Sequence, residues 1–212
     1  MTDRIKKIIE LIPKTETLAD IGCDHGYVSV GALNSGKAKK VIFSDVSENC
    51  LKKAQNNLTE YINSGSALGI VSDGFNNLPF VSTAVIAGMG GEEIDKIISS
   101  CKNLPDNFVL QPMKNVDKVR ECVVKYGYLI TFDRVYYFDK KYYDFIVAKR
   151  GQDVLSTDEI LFGRTNLETL NTDFLNKLCE QKKLLEKVLK SDISKSEAEL
   201  KKELLGRIKK YV

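Results

Sequence analysis

The chain has 212 residues, 43% of them hydrophobic and 29% charged, with a formal net charge of +3. Those proportions are enough for a buried core and exclude the collagen-like, disordered and disulfide-scaffold classes. The charge is too evenly balanced to point to a partner, because nucleic-acid-binding domains often stand above a pI of about 9 with clustered Lys and Arg.

No apolar run approaches the roughly 20 residues that cross a bilayer, so no spanning helix is expected. The start, MTDRIKKIIELIPK, is charged and lacks the apolar stretch and small-residue site of a secretory leader, which predicts a cytoplasmic chain. Cys23, Cys50, Cys101, Cys122 and Cys179 are scattered without a CxxC pair and fit reduced thiols. His25 is the only histidine, so no metal site built on histidines is expected.

Ile5, Ile8, Ile9 and Ile12 share one face of a short amphipathic helix over 4–12, which Pro13 stops. TLADIG (17–22) predicts a buried strand, and a helix follows Gly26 over 27–33. VIFSD (41–45) predicts a second strand. Ser47 then caps one helix through Leu51, Ala54, Leu58 and Ile62, with Glu48 in its first turn. ALGIVSDG predicts a third strand and turn, with Gly69 a weak point in it. TAVIAGMGG (83–91) predicts a fourth strand leading into a helix through Ile94, Ile97 and Ile98. NFVLQP (107–112) predicts a fifth, followed by a helix with Val116, Val119, Val123 and Val124. Two β-rich runs broken at 139–141 then predict a hairpin.

This alternation predicts an α/β fold: a doubly wound, Rossmann-like parallel sheet with an antiparallel edge hairpin. The texture changes after Gly151. Leu167, Leu170, Phe174, Leu178 and Leu185 recur at helical spacing to predict one long helix, and Leu200, Leu204 and Ile208 predict a second after a break at 191–196. The expected organisation is one domain over 1–152 and an antiparallel helical hairpin over 153–212.

The chemistry concentrates in LADIGCDHGY (18–27). A strand ends in Asp20-x-Gly22, turns through Gly26 and enters a helix, as a turn does where ligand and backbone approach closely. Asp24 stands where a dinucleotide fingerprint has its second glycine, so the turn favours a cation over a diphosphate. The ammonium and sulfonium of S-adenosylmethionine are such cations. Asp45 closes the second strand, where a carboxylate accepts ribose hydroxyls. Ser72-Asp73-Gly74 closes the third, within reach of an adenine amino group. Gly88-Met89-Gly90 opens a floor after the fourth, with clearance for a flat substrate.

The DIGCDHGY turn, the AGMGG turn and LQP (110–112) together resemble the bacterial tRNA adenine-22 N1-methyltransferases over essentially the whole chain. That family pairs a class I S-adenosylmethionine-dependent methyltransferase domain with a coiled-coil-like helical hairpin. The resemblance implies cofactor contacts at Asp20, Gly22, Asp24, His25, Gly26, Asp45, Asp73, Gly74, Gly88, Met89 and Gly90. It also implies methyl transfer to adenine N1 in tRNA, with S-adenosylhomocysteine as product. No metal is expected, and the chain is expected to be a monomer or weak homodimer. This chain has Met113 where the family commonly has Asn after Gln-Pro, and Cys23 where it tends to have Ser.

His25, Tyr27 and Gln111 are the residues placed to act on the base: His25 by orienting Asp24 or by touching the substrate, Tyr27 by stacking, Gln111 by hydrogen bonding. Tyr143 and Asp144 are weaker candidates. Arg4, Lys114, Lys118 and Arg120, with Lys140 and Lys141, are candidate phosphate contacts. The tail has two readings: an arm presenting Lys182, Lys183, Lys187, Lys201, Lys202, Lys209 and Lys210 to RNA, or an element that buries its leucines in a partner. Two rival functions stay open, a methyltransferase acting on a small molecule or protein and a non-catalytic tRNA-binding module. An NAD-dependent dehydrogenase is disfavoured by Asp24.

Overall fold

Thr2 starts the first helix, its hydroxyl accepting from the Ile5 N–H. In the computed structural model, which describes residues 1–212, that helix is α1 (Asp3–Leu11). It leads into β1 (Thr15–Ile21), α2 (Tyr27–Asn34), β2 (Ala38–Asp45), α3 (Glu48–Asn57), α4 (Thr59–Asn63), β3 (Ala67–Val71), β4 (Thr83–Met89) and α5 (Gly91–Ser100). β5 (Asn107–Pro112), α6 (Val116–Lys125), β6 (Tyr128–Phe138) and β7 (Lys141–Arg150) complete the sheet. The tail holds α7 (Thr157–Phe162), α8 (Arg164–Thr169), α9 (Thr172–Val188) and α10 (Lys195–Ile208).

The seven strands lie in the order β3-β2-β1-β4-β5-β7-β6. The first five pair in parallel, and β7 joins β5 and β6 antiparallel, so the expected sheet and edge hairpin are both present. Strand residues alternate between two apolar layers. Ala19, Ile86 and Leu110 face α5 and α6, whereas Leu18, Val85 and Val109 face α1, α2 and α3. With both faces covered, these strands read as nearly continuous apolar runs. The chain leaves β1 toward β2 and β3 and returns on its other side as β4. That reversal opens a crevice at the carboxyl ends of β1 and β4, where open α/β sheets bind ligands. No helix is long and apolar enough to cross a membrane.

Two expectations about helices need correction. The helix after Ser47 breaks at Leu58, which leaves helical geometry at φ −108° and ψ 11°. The preceding Asn57 sends its side-chain amide back to the His25 carbonyl at 3.0 Å, which favours ending α3 there. The tail is four helices rather than two. Leu170 takes left-handed backbone (φ 43°), and Asn171 caps α9 through the Phe174 N–H, splitting the long run the leucines suggested.

The tail has an apolar cluster of its own, Phe162, Phe174, Leu178, Leu185, Leu205 and Ile208, which closes on Val135 of β6. Beside it Arg120 of α6 is only 1% exposed. Its guanidinium donates to both carboxylate oxygens of Asp133 at 2.6 and 3.0 Å, and to the Ile160 and Leu161 carbonyls of α7. Lys177 of α9 reaches Asp144 of β7 at 2.5 Å. A charged network therefore joins sheet and tail.

Candidate active site

One cavity of about 590 Å³ opens over the carboxyl ends of β1, β2 and β4 and the turn after β3. Asp20, Gly22, Asp24, His25, Asp45, Asp73, Gly74, Gly88 and Met89 all line it, so the residues expected at four separate turns converge. Gly26 and Gly90 shape the turns without lining it. Gly90 precedes α5, and Gly26 is the N-cap of α2.

Asp20 stands at the end of β1, almost wholly buried. Gly26 has no side chain with which to cap α2, and Asp20 does so from outside. One of its oxygens accepts from the Ser29 N–H at 3.2 Å and the Ser29 hydroxyl at 2.7 Å. Burial nevertheless pushes its pKa up to about 6, the Ser29 hydrogen bonds offsetting only part of the desolvation. Cys23 is buried beside it, and burial raises its thiol far from the thiolate a nucleophile would need.

Asp45 braces the turn. Its two carboxylate oxygens accept from the Asp24 N–H at 3.3 Å and the Ser47 N–H at 2.9 Å. A carboxylate has about four acceptor sites, so each oxygen keeps one for a ligand. Asp24 itself sits in left-handed backbone (φ 46°), a conformation that Asp tolerates better than most residues. Ser72 folds the turn after β3 by donating to the Gly74 and Asn76 carbonyls.

Two glycines are there for their left-handed backbone. Gly22 has φ +72°, and a Cβ on it would lie 2.1 Å from the Met89 methyl. Gly88 has φ +82° where the β4–β5 register shifts between Ala87 and Met89. At the rim, His25 and Tyr27 stack with ring centroids 5.5 Å apart and planes 10° apart. His25 Nε2 lies 3.8 Å from Asp24, and Tyr27 is 50% exposed, leaving a ring face to solvent. Across the sheet no group of three or more His, Cys, Asp or Glu side chains converges as a metal site.

Gln111 differs from its expected state. It is fully buried at the end of β5. Its oxygen accepts from Arg4 at 2.7 Å, and its nitrogen donates to the Pro112 carbonyl at 2.9 Å and contacts the Met113 sulfur. Both ends of the amide are thus engaged within the protein. The cation candidates also separate. Arg120 is a correction: it is sealed in the sheet–tail network and cannot meet a phosphate. Arg4 lines the cavity itself. Lys118 is exposed but pairs with Glu92 at 2.7 Å, and exposed Lys114 lays its stem against Gly90. In the tail Lys201, Lys209 and Lys210 pair with Glu197, Glu186 and Asp158, and Lys182 donates to the Val212 carbonyl, so much of that arm's charge is compensated internally.

Comparison with known proteins agrees with this fold. The chain is 36% identical over 126 residues to a Mycoplasma genitalium protein named provisionally as a tRNA methyltransferase, covering 57% of this chain and 56% of that one. The chain therefore spans a little over half the length of that relative. It is 25% identical to the Bacillus subtilis tRNA (adenine(22)-N(1))-methyltransferase, covering 76% of this chain and 69% of the relative. The Mycoplasma capricolum TrmK structure in complex with S-adenosyl-homocysteine shares the fold at a TM-score of 0.90 and 24% identity, covering 100% of this chain and 97% of that one. The family model for a methyltransferase domain matches residues 1–146, from the approach to α1 well into β7. With its cavity built from the turns of that stretch, this chain belongs to the methyltransferase-domain family.

Proposed function

We propose that the chain transfers a methyl group from S-adenosylmethionine to N1 of adenine 22 in tRNA. The carrying observation is the convergence of acids and glycine turns on one cavity at the switch point of the sheet. The names of the B. subtilis and M. capricolum relatives support both the substrate and the cofactor.

The residues fit that cofactor. Acidic side chains suit its ammonium and sulfonium, the free acceptor positions on Asp45 suit ribose hydroxyls, and the Ser72–Gly74 turn suits the adenine edge. When bound, it supplies an electrophilic methyl, which the adenine N1 lone pair takes as the carbon–sulfur bond breaks. N1 is unprotonated at neutral pH, so this chain needs no strong base. Its part is to hold the base in line, at roughly 3–3.5 Å from the methyl, and to exclude water. N1 lies on the pairing edge, so the base must leave its stack. The His25–Tyr27 shelf is the surface we assign to receive it, with Gly88–Gly90 giving clearance. Gln111 then acts indirectly, through Arg4.

The division into a methyltransferase domain over 1–152 and a helical domain over 153–212 belongs to the same reading, supported by the separate apolar cluster of the tail. RNA contacts fall to Lys114 and Lys118, with Lys183, Lys187 and Lys202 of the tail, which have no acidic partners. A tRNA substrate goes with a cytoplasmic workplace.

The test is methyl acceptance by tRNA with the modified nucleoside mapped. Label at N1 of adenine 22 is the expected result, and label on protein or on no nucleoside contradicts it. Asp45→Ala is expected to weaken S-adenosylmethionine binding by about 1–3 kcal/mol, the scale of charge-assisted hydrogen bonds. Unchanged affinity in a folded Asp45→Ala protein would remove the ribose assignment.

A further inference from the structure

The acids around the cavity leave one part of the donor without a partner. Asp20, Asp24, Asp45, Asp73 and Glu93 line it, and Arg4 is the only lysine or arginine among its 21 lining residues. The amino-acid end of S-adenosylmethionine carries a carboxylate beside its ammonium, and five carboxylates repel it. We propose that Arg4 binds this carboxylate and so fixes the amino-acid end of the donor, an inference that rests on the cofactor reading above.

Position supports this. Strand ends follow one another along the sheet edge about 4.8 Å apart. From Asp45 on β2 to Gly88 on β4 is two steps, or roughly 10 Å, which separates a ribose from the amino-acid end of an extended donor. Arg4 comes down from α1 at that far end, where a Cβ on Gly88 would lie 3.5 Å from its Nη1.

Preorganisation supports it too. Arg4 is half-buried and forms no ion pair, so its charge awaits a partner. Nη1 is held at 2.7 Å by the oxygen of the buried Gln111, and the guanidinium lies 5.9 Å from the Tyr143 ring centroid. One nitrogen fixes the group, and the remaining N–H donors present the fork that matches a carboxylate. A tRNA phosphate would have to enter to the depth of five acids. A ligand whose own ammonium those acids neutralise brings its carboxylate there without that cost. Gln111 is a positioning residue in this arrangement.

The experiment compares S-adenosylhomocysteine with its decarboxylated analogue, which keeps adenosine, sulfur and ammonium. Both are titrated calorimetrically into the wild-type chain, Arg4→Gln and Arg4→Lys, with unfolding midpoints measured alongside. Gln keeps a donor for Gln111 and removes the charge. Lys keeps the charge and loses the fork. The expected result is a loss of about 10-fold or more in S-adenosylhomocysteine affinity in Arg4→Gln, partly recovered in Arg4→Lys, with the decarboxylated analogue unchanged across all three. Equal losses for both ligands would overturn the assignment in favour of a purely structural Arg4. Unchanged S-adenosylhomocysteine affinity with weakened tRNA binding would overturn it in favour of an RNA contact. A wild-type chain that binds neither ligand would instead remove the cofactor reading itself.

Discussion

Arg120→Ala is expected to lower the unfolding free energy by about 3–5 kcal/mol, because it leaves the Asp133 carboxylate buried without its counter-charge. Asp133 is as buried as its partner, and Asp144 lies 3.9 Å from the same guanidinium. Burial opposes the Arg120 charge, yet Asp133 outweighs it and holds the pKa above the ordinary arginine value. The loss also frees the Ile160 and Leu161 carbonyls, so α7 loses its tether to α6. Urea unfolding reads the change. A loss below about 1 kcal/mol, the scale of a solvent-screened pair, would mean that water reaches the site. Arg120→Met combined with Asp133→Leu removes both charges and is expected to recover most of the stability. The same network bears on the tail. Deleting 156–212 would uncover Val135 and strip Arg120 of two acceptors, so a lost tRNA affinity in that truncation would not isolate an RNA-binding arm.

The second large effect concerns Asp20. Its pKa rises from 3.8 in the unfolded chain to about 6 in the fold, because burial penalises the ionised form. The folded state therefore binds the proton more tightly. Its favourable contribution is fully present below pH 3.8 and is lost as pH rises through about 6. Above that pH the ionised group costs the fold on the order of 3 kcal/mol, at about 1.4 kcal/mol per pKa unit. Asp20→Asn keeps an acceptor for Ser29 without the charge. It is expected to be more stable than the wild type at pH 7–8, with the difference fading toward pH 4. Denaturant midpoints across that range decide it, and a difference independent of pH would contradict the assignment. Such a carboxylate is held at a cost to the fold, as active-site groups often are. A cation drawn to Asp20 needs it ionised, so donor affinity is expected to fall below about pH 6.

The sheet was legible because its strands are buried on both faces and its helices carry their apolar residues on one. Asp20, Asp45 and Asp73 were legible as a group for a related reason: each is an acid at a strand end, and the fold brings all three to one cavity, where Asp20 also caps α2 and Asp45 also braces the turn. Arg120 was misread because Lys and Arg on helices are usually solvated. Its spacing held a signal, for it stands four residues after Val116 and three before Val123, on the apolar face of α6. Asp133 carried the matching one, since it shares a strand face with Val135 and points away from solvent. Neither is decisive without the other, and pairing across 13 residues is not a local property. The break at Leu170 was hidden for the opposite reason, because a leucine at helical spacing gives no hint of left-handed backbone. Arg4 lies in an amphipathic pattern that explains it completely as a surface residue, and only the return of β5 beside α1 brings Gln111 to it.

The acid-lined cavity as a seat for a cationic methyl donor is tested most directly by calorimetric titration of the intact chain with S-adenosylmethionine. One saturable site per chain, displaced by S-adenosylhomocysteine and indifferent to NAD, is the result expected. No heat with S-adenosylmethionine, or competition by the dinucleotide, would contradict it.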